Sequence, residues 1–531
     1  MLVKMFKFIA GLILILSALR LPAERINQEG RILGALPVVT NSILFNTSNA
    51  DAVVSAIQIF PVTNPWNECI SNRPVLANSD AMIAQMRFDF TNGLMGASSL
   101  ASHQKLHINF EMNYVLVPDN QPRVPVYFFN YPDDSDLDGG VSPTGLYPVP
   151  TNQPVESWPL GLTLNGTPQT LQQWQTNNDG SDRHSITVAP GGGYIWETWE
   201  MLLTPTNWMA SNGAKFDLST NALRVVSGNT NVTSGDAAGF PMFPALVRYD
   251  ECERGMVEHA LRITVKKSLY GSYIYPATHF AAPSGNTSTN LPVMGQRLRL
   301  KAGFVIPANW TLEEKAVALA LKKYGALVAD NGSILGISVV PDDRWPNSGD
   351  CFNDLLGIVI TNFEVIQTTG PNEGPRSAGA PVANAGPDQT VPVGPPVQLS
   401  GVVTFSTPPP AIQWKLYSGP VTVTFGNAAL TNTMASFSAP GTYTLELSAD
   451  DGVHAVAYDA VVITVINGIH VTLTPAGTNV NLSWTGGSPP YVVQWAGTLP
   501  AAAWSDLVTT GVNSTNLPIT NLTGFFRVKG S

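Results

Sequence analysis

Ile108, Phe110, Met112 and Tyr114 alternate with Asn109, Glu111 and Asn113, and this two-residue period restricts the fold more than any other feature of the chain. Successive side chains of a strand point to opposite faces, so such a run fits a half-buried strand and not a helix. Similar extended runs recur at residues 124–131, 193–202, 259–265 and 295–306. One helix stands out: Thr311 and Glu314 have capping-box spacing, residues 316–324 are rich in helix formers, and Gly325 stops them. The pattern predicts a mainly β protein. Residues 31–366 would form a large, jelly-roll-like β-sandwich module with long loops and one or two helices.

A chain of 531 residues exceeds a single core, so several modules are expected. Residues 367–380 are rich in Gly and Pro, lack periodicity and read as a linker. Two repeat-sized segments follow, 381–466 and 467–531. At the other end, Lys4 and Lys7 precede an apolar run at 8–19 that is short for a bilayer span, and Ala23 offers a small residue for cleavage. Residues 1–23 therefore read as a signal peptide, with a membrane anchor as the alternative. No later segment is apolar enough to span, so no integral membrane partner is implied.

In the second module, Asn384, Ala385, Gly386, Pro387 and Asp388 open the pattern, Trp414 stands between extended runs, and Tyr443, Leu445 and Leu447 alternate as one buried face. Ala449, Asp450, Asp451 and Gly452 precede a closing run at 460–465. These positions resemble the PKD family of immunoglobulin-like sandwiches. The resemblance implies a spacer or adhesive appendage of a secreted protein. The third module carries strand-like fragments at 481–484 and 491–495 and ends on Gly524, Phe525, Phe526, Arg527 and Val528. It resembles a truncated fibronectin type III-like repeat, a second immunoglobulin-like sandwich.

Charged residues are only 12% of the chain, yet 44% is hydrophobic, so large cores can form without charged amphipathic helices. The net charge is -10 and no Lys/Arg run could track a phosphate backbone, which argues against nucleic acid. Cys69, Cys252 and Cys351 allow one disulfide with one free thiol, or three buried unpaired thiols.

Against this sparse charge, residues 182–301 concentrate functional types: His184, Trp196, Glu197, Trp199, Asp236, Arg248, Tyr249, Asp250, Glu251, His259, Arg262 and His279. Together with Asn64 to Asn67 and Asp330 to Ser333, these segments resemble an uncharacterised family of exported bacterial proteins, which implies no mechanism. Candidate catalytic residues are His184, Glu197, Asp236, Arg248, Asp250, His259 and His279. Trp196, Trp199, Tyr249 and Arg262 are candidate substrate contacts. Glu197 shares a strand face with Ile195 and Trp199, so burial among aromatics would raise its pKa as a general acid needs, or the trio could serve as a sugar platform. Its competing reading is a solvated edge carboxylate. His259 would share a face with Leu261, Ile263 and Val265, as a core histidine or as a proton-transfer group. Asp250 and Glu251, if on a strand, would face opposite ways. A lyase would use His259 or His279 as base, Tyr249 as acid, and Arg248 or Arg262 against a uronate.

Asp134, Asp136 and Asp138 precede Gly139 as in the first half of a calcium loop, but position twelve is Gly145, and an acidic surface turn is the competing reading. No other cofactor is implied. His103 and His107 have helical metal spacing yet run into a strand pattern. Nucleophile-elbow, phosphate-loop and H-E-x-x-H motifs are missing. The expectation is a secreted or cell-surface protein acting on or binding extracellular polysaccharide, as a glycoside hydrolase or polysaccharide lyase. The alternative is a non-catalytic adhesion protein that binds a cell-surface glycan.

Overall fold

Three hydrophobic layers build the large module, and two separate cores follow it. A computed structural model describes residues 24–91, 100–160, 163–164, 167–367, 379–487, 489–497, 503–518 and 525–530. The expected leader at 1–23, all but the ends of the expected linker, and Gly524 lie outside the described residues.

The first layer is a four-stranded sheet in the order Leu202–Leu203, Trp208–Ala210, Val124–Phe128, Thr144–Tyr147. It faces a five-stranded sheet in the order Asn212–Asp217, Tyr194–Trp199, Ser185–Ala189, Val115–Leu116, Ile43–Leu44. Val115, Val126, Phe128, Tyr147, Trp196 and Ala210 fill the space between them. This is the expected sandwich, with inward side chains alternating along each strand.

The far face of the five-stranded sheet presents Ile186, Val188, Ile195 and Ala214 to a larger core. Across that core lies a six-stranded mixed sheet in the order Phe363–Val365, Arg297–Leu300, Ala326–Asn331, Leu261–Val265, Leu335–Val339, Leu106–Phe110. Two of its pairings are parallel. The helix Leu312–Lys323 packs on this sheet; Thr311 and Glu314 form its capping box, and Gly325 follows its end at φ +68°. Its buried face, including Val317, Ala320 and Leu321, completes the core.

The large module thus corrects the expectation of one or two helices. The described residues hold six α-helices, the longest being Ser79–Thr91 and Leu312–Lys323. The extra layer exists because the five-stranded sheet is apolar on both faces and needs cover on both. Asp250 and Glu251 also differ from expectation, since they lie in the short helix Tyr249–Glu253 rather than on a strand.

In the second module a four-stranded sheet, Gln389–Pro392, Ala457–Ile466, Gly441–Asp450, Ala411–Ser418, opposes a three-stranded sheet, Val397–Ser400, Asn432–Ser436, Thr424–Phe425. Trp414 is fully buried among Leu399, Ala435, Leu445 and Leu447, as its sequence setting predicts. The third module pairs two three-stranded sheets around Leu482, Trp484, Tyr491 and Val493. Among the described residues no helix is long and apolar enough to cross a membrane. All three cysteines are unpaired; Cys252 and Cys351 are buried, whereas Cys69 is exposed.

Candidate functional site

Leu261, Ile263 and Val265 point into the large core, so strand alternation sends Arg262 to the opposite face. There its Nε donates to Asp236 Oδ2 at 2.9 Å and its Nη1 donates to Ser338 Oγ at 2.7 Å. Asp236 sits in a tight turn, where its own N–H donates to Ser234 Oγ at 3.0 Å. Asp236 Oδ1 is buried and accepts no hydrogen bond among the described residues.

His184 packs beside this pair. Its Nδ1 lies 2.8 Å from Glu156 Oε2, and its Nε2 lies 2.9 Å from the Gly235 carbonyl. A carbonyl and a carboxylate can only accept, so both ring nitrogens donate and the ring is an imidazolium. Burial would depress its pKa, but the Glu156 carboxylate outweighs burial and pushes it up to about 9. Burial likewise opposes ionisation of Glu156, and the His184 charge overcomes it, so that carboxyl is held below its usual range.

Two half-buried carboxyls complete the cluster. Glu111 follows the strand Leu106–Phe110, and Asp330 lies on Ala326–Asn331. Burial raises Glu111 to about 7, reinforced by the nearby Glu156 charge. Burial raises Asp330 to about 6, reinforced by Asp236. Arg262 acts on both in the opposite sense. Four carboxyls therefore share two cations; Glu156 and Asp236 are paired, while Glu111 and Asp330 form no ion pair among the described residues. His279 borders the group, with Nδ1 2.9 Å from the Ala237 carbonyl and its ring stacked on Phe280 at 5.7 Å.

The remaining candidates lie elsewhere. Glu197 is wholly buried, and its carboxylate accepts the backbone N–H groups of Met242 (2.8 Å) and Phe243 (2.8 Å). Burial lifts its pKa to about 7 despite those two bonds. The expected raised acid is thus present, but it braces a turn instead of facing a cleft. Arg248, Asp250 and His259 form a second, internal network. Arg248 Nη2 lies 2.8 Å from Glu251 Oε1, His259 Nε2 3.1 Å from Glu251 Oε2, and Arg254 Nη1 2.7 Å from Asp250 Oδ2. Arg31, near the start of the described chain, extends this network to Glu258 at 2.7 Å. His259 precedes its strand instead of lying on it. The Tyr249 ring packs between Arg344 (4.1 Å) and Trp345 (5.1 Å). The lyase candidates therefore do not meet in one place.

Trp196 is buried in the sandwich and donates its indole N–H to Asp138 Oδ2 at 2.8 Å, so it offers no ring to a ligand. Trp199, half-buried, donates to Asp182 Oδ1 at 3.2 Å and stacks on exposed Tyr131 at 6.1 Å and 29°. Two of the three aspartates of the expected calcium loop hold basic side chains. Asp136 binds Arg224 Nε at 2.6 Å, and Asp138 binds Arg123 and, at 2.9 Å, Lys215 Nζ. Burial would raise the Asp138 carboxyl, and these donors together with Trp196 lower it. Oxygens already holding cationic donors favour the competing reading, a charged surface turn. No group of three or more His, Cys, Asp or Glu among the described residues is arranged to hold a metal.

Sequence reasoning missed Glu111, Glu156 and Asp330. Asp330 lay within a segment of the exported-family resemblance, which was its one signal. Glu111 read only as the polar phase of a strand.

No family model matches the chain, and no curated protein matches it. Solved structures similar to parts of it include the PKD domain of human KIAA0319, at 21% identity over 19% of this chain and 91% of that one, with a TM-score of 0.15. A titin fragment is 16% identical over 31% of this chain and 71% of that one, with a TM-score of 0.17. A nucleoside hydrolase-related hypothetical protein from Saccharophagus degradans, described as associated with carbohydrate metabolism, is 17% identical over 33% of this chain and 41% of that one, with a TM-score of 0.15.

Proposed function

We propose that this protein is exported and hydrolyses an extracellular polysaccharide, with Glu111 and Asp330 as its acid/base pair. One observation carries the reading: these are the two half-buried carboxyls left without an ion-pair partner in a cluster whose other acids are neutralised by His184 and Arg262. Burial raises both carboxyls, Glu111 to about 7 and Asp330 to about 6, so both change protonation state near neutral pH. A protonated carboxyl can give its proton to a glycosidic oxygen, and an ionised one can take a proton from water. Perturbed titratable groups gathered at one place are the usual mark of such a site. His279, at the margin, is a further proton carrier. The leader at 1–23, the PKD-like module at 381–466 and the fibronectin-like module at 467–531 support an extracellular setting. The lyase form draws no support, because Arg248 and Arg262 are buried and already paired and so cannot neutralise a uronate.

Non-catalytic adhesion is the second reading. It is favoured by the internal pairing of His184, Glu197, Arg248, Asp250 and His259.

The test is the full chain against neutral and acidic polysaccharides, reading reducing ends and the absorbance of unsaturated uronates. Reducing ends without uronate absorbance are expected, with losses of about 100-fold or more in Glu111→Gln and in Asp330→Asn. Silence across the panel, together with binding on a glycan array, would establish adhesion instead.

A further inference from the structure

In the four-stranded sheet of the second module, Tyr443, Leu445 and Leu447 face the core. Strand alternation therefore puts Glu446 on the outer face. An outward carboxylate on an isolated sandwich would stand in solvent. Glu446 is instead fully buried, with Lys415 Nζ 2.8 Å from its Oε1. It is covered by a hairpin from the start of the described chain, Arg25–Ile26 paired with Ile32–Leu33. Gly30 sits in the hairpin turn at φ +73°, and a Cβ there would stand 2.8 Å from Tyr458 Cε1 and 3.0 Å from Glu446 Oε1. The Ile32 N–H donates to Tyr417 Oη at 3.0 Å. Tyr458, Glu446 and Tyr417 lie on three neighbouring strands, so the hairpin spans the outer face of the sheet.

The same hairpin is bound to the large module. Arg31 Nε donates to both oxygens of Glu258, at 2.9 and 3.1 Å, and its Nη2 donates to Oε2 at 2.7 Å. Asn27 Nδ2 reaches the same carboxylate at 2.8 Å, and Arg31 Nη1 donates to the Ser55 carbonyl at 2.7 Å. Glu29 takes Lys323 Nζ at 2.6 Å and the Tyr324 hydroxyl, both at the end of the helix Leu312–Lys323. The turn also holds its own shape, because Asn27 Oδ1 accepts the N–H groups of Glu29 and Arg31 at 3.0 and 2.9 Å. Among the described residues, no ion pair joins the second module directly to residues 34–366. We infer that residues 25–33 are a strap that docks the second module on the large one and fixes their relative orientation. Modules joined by a linker move against each other unless an interface holds them. Here charge-assisted hydrogen bonds anchor the strap on one side, and close packing against Tyr458 and Glu446 seats it on the other. The second module is therefore a rigid extension of the large module and not a freely swinging spacer.

A distance measurement in the full chain tests the strap. Nitroxide labels are placed at Val305→Cys in the large module and Val402→Cys in the second, where the native side chains are 82% and 56% exposed. The background carries Cys69→Ser, and the buried Cys252 and Cys351 stay unlabelled. Double electron–electron resonance with the native strap should give one narrow distance distribution. Gly30→Val puts a side chain against Tyr458 and Glu446 on a left-handed backbone, and Arg31→Ala releases the strap from Glu258. Each should widen the distribution about twofold or more. Circular dichroism checks folding, and because the two substitutions act on opposite modules, one keeps the test valid if the other unfolds its module. A broad distribution with the native strap would overturn the inference. So would a narrow one that neither substitution changes. The measurement reads no hydrolysis, so the strap and the catalytic reading can fail separately.

Discussion

Oε2 of Glu156 lies 2.8 Å from both the Nδ1 and the backbone N–H of His184, so one buried carboxylate oxygen fixes the position and the charge of one imidazole. The pKa of His184 is raised to about 9 and that of Glu156 is lowered. A raised base contributes stability that is complete below its ordinary value, about 6.5, and is lost as pH climbs through 9. A depressed acid contributes stability that is present above its ordinary value, about 4.3, and is lost as pH falls below it. Thermal melts from pH 4 to 10 should therefore show a plateau between about pH 5 and 6.5 and a steady decline from there to about pH 9. Glu156→Gln should lower the plateau by about 3–5 kcal/mol, because the imidazolium is left buried without its partner. A melt profile unchanged by the substitution would refute the pairing.

Glu197→Gln should act on folding. The carboxylate is the shared acceptor for Met242 and Phe243, which begin the turn Phe243–Ala245. An amide offers one acceptor oxygen and places an NH₂ against a backbone donor. The expected loss is about 1–3 kcal/mol in urea denaturation. Stability equal to the wild type would show that the turn does not depend on this side chain.

The Arg248 network makes a sharper comparison. Glu251 accepts from both Arg248 and His259, and burial, which would raise its pKa, is overcome by those two groups, so the carboxyl is held low. Glu251→Gln should cost about 3–5 kcal/mol. Arg254→Lys, at a side chain 27% exposed, should cost about 1 kcal/mol or less. Equal effects at the two sites would contradict the difference in burial.

Asp138 gathers Arg123, Lys215 and Trp196 around one carboxylate. Millimolar calcium or a chelator should leave the melting temperature unchanged, whereas Asp138→Ala should lower stability by about 1–3 kcal/mol by stranding three donors. A rise in melting temperature on adding calcium would restore the calcium-loop reading.

Local signals in the chain proved readable where structure is decided locally. The Thr311–Glu314 capping box marks a real helix start, Trp414 lies where its flanking strands imply, and the alternation around Arg262 puts it opposite Ile263. The site was readable only in part. His184, Asp236, Arg262 and His279 do gather, but Glu111, Glu156 and Asp330 join them from strands and loops distant in sequence. A carboxyl's role depends on whether a cation reaches it, and that is set by packing. Asp250 and Glu251 were misplaced for a related reason: a one-turn helix is too short to show a 3.6-residue period.

The pH dependence of hydrolysis carries the last prediction. Glu111 must be protonated and Asp330 ionised, so activity should rise as pH passes about 6, fall as it passes about 7, and peak between. Asp330→Asn should remove the acidic limb along with most activity, and Glu111→Gln the alkaline limb. Glu111 carries an opposing effect on the fold. A raised acid stabilises the native state below its ordinary pKa and loses that contribution as pH rises through 7, so at pH 8 the ionised side chain is a burden. Glu111→Gln should therefore raise stability at pH 8 by roughly 1–2 kcal/mol, allowing for the solvent at its exposed edge, and should change little at pH 4. A variant both more stable and less active is the signature of a strained functional carboxyl. A variant destabilised at both pH values would instead make Glu111 part of the scaffold.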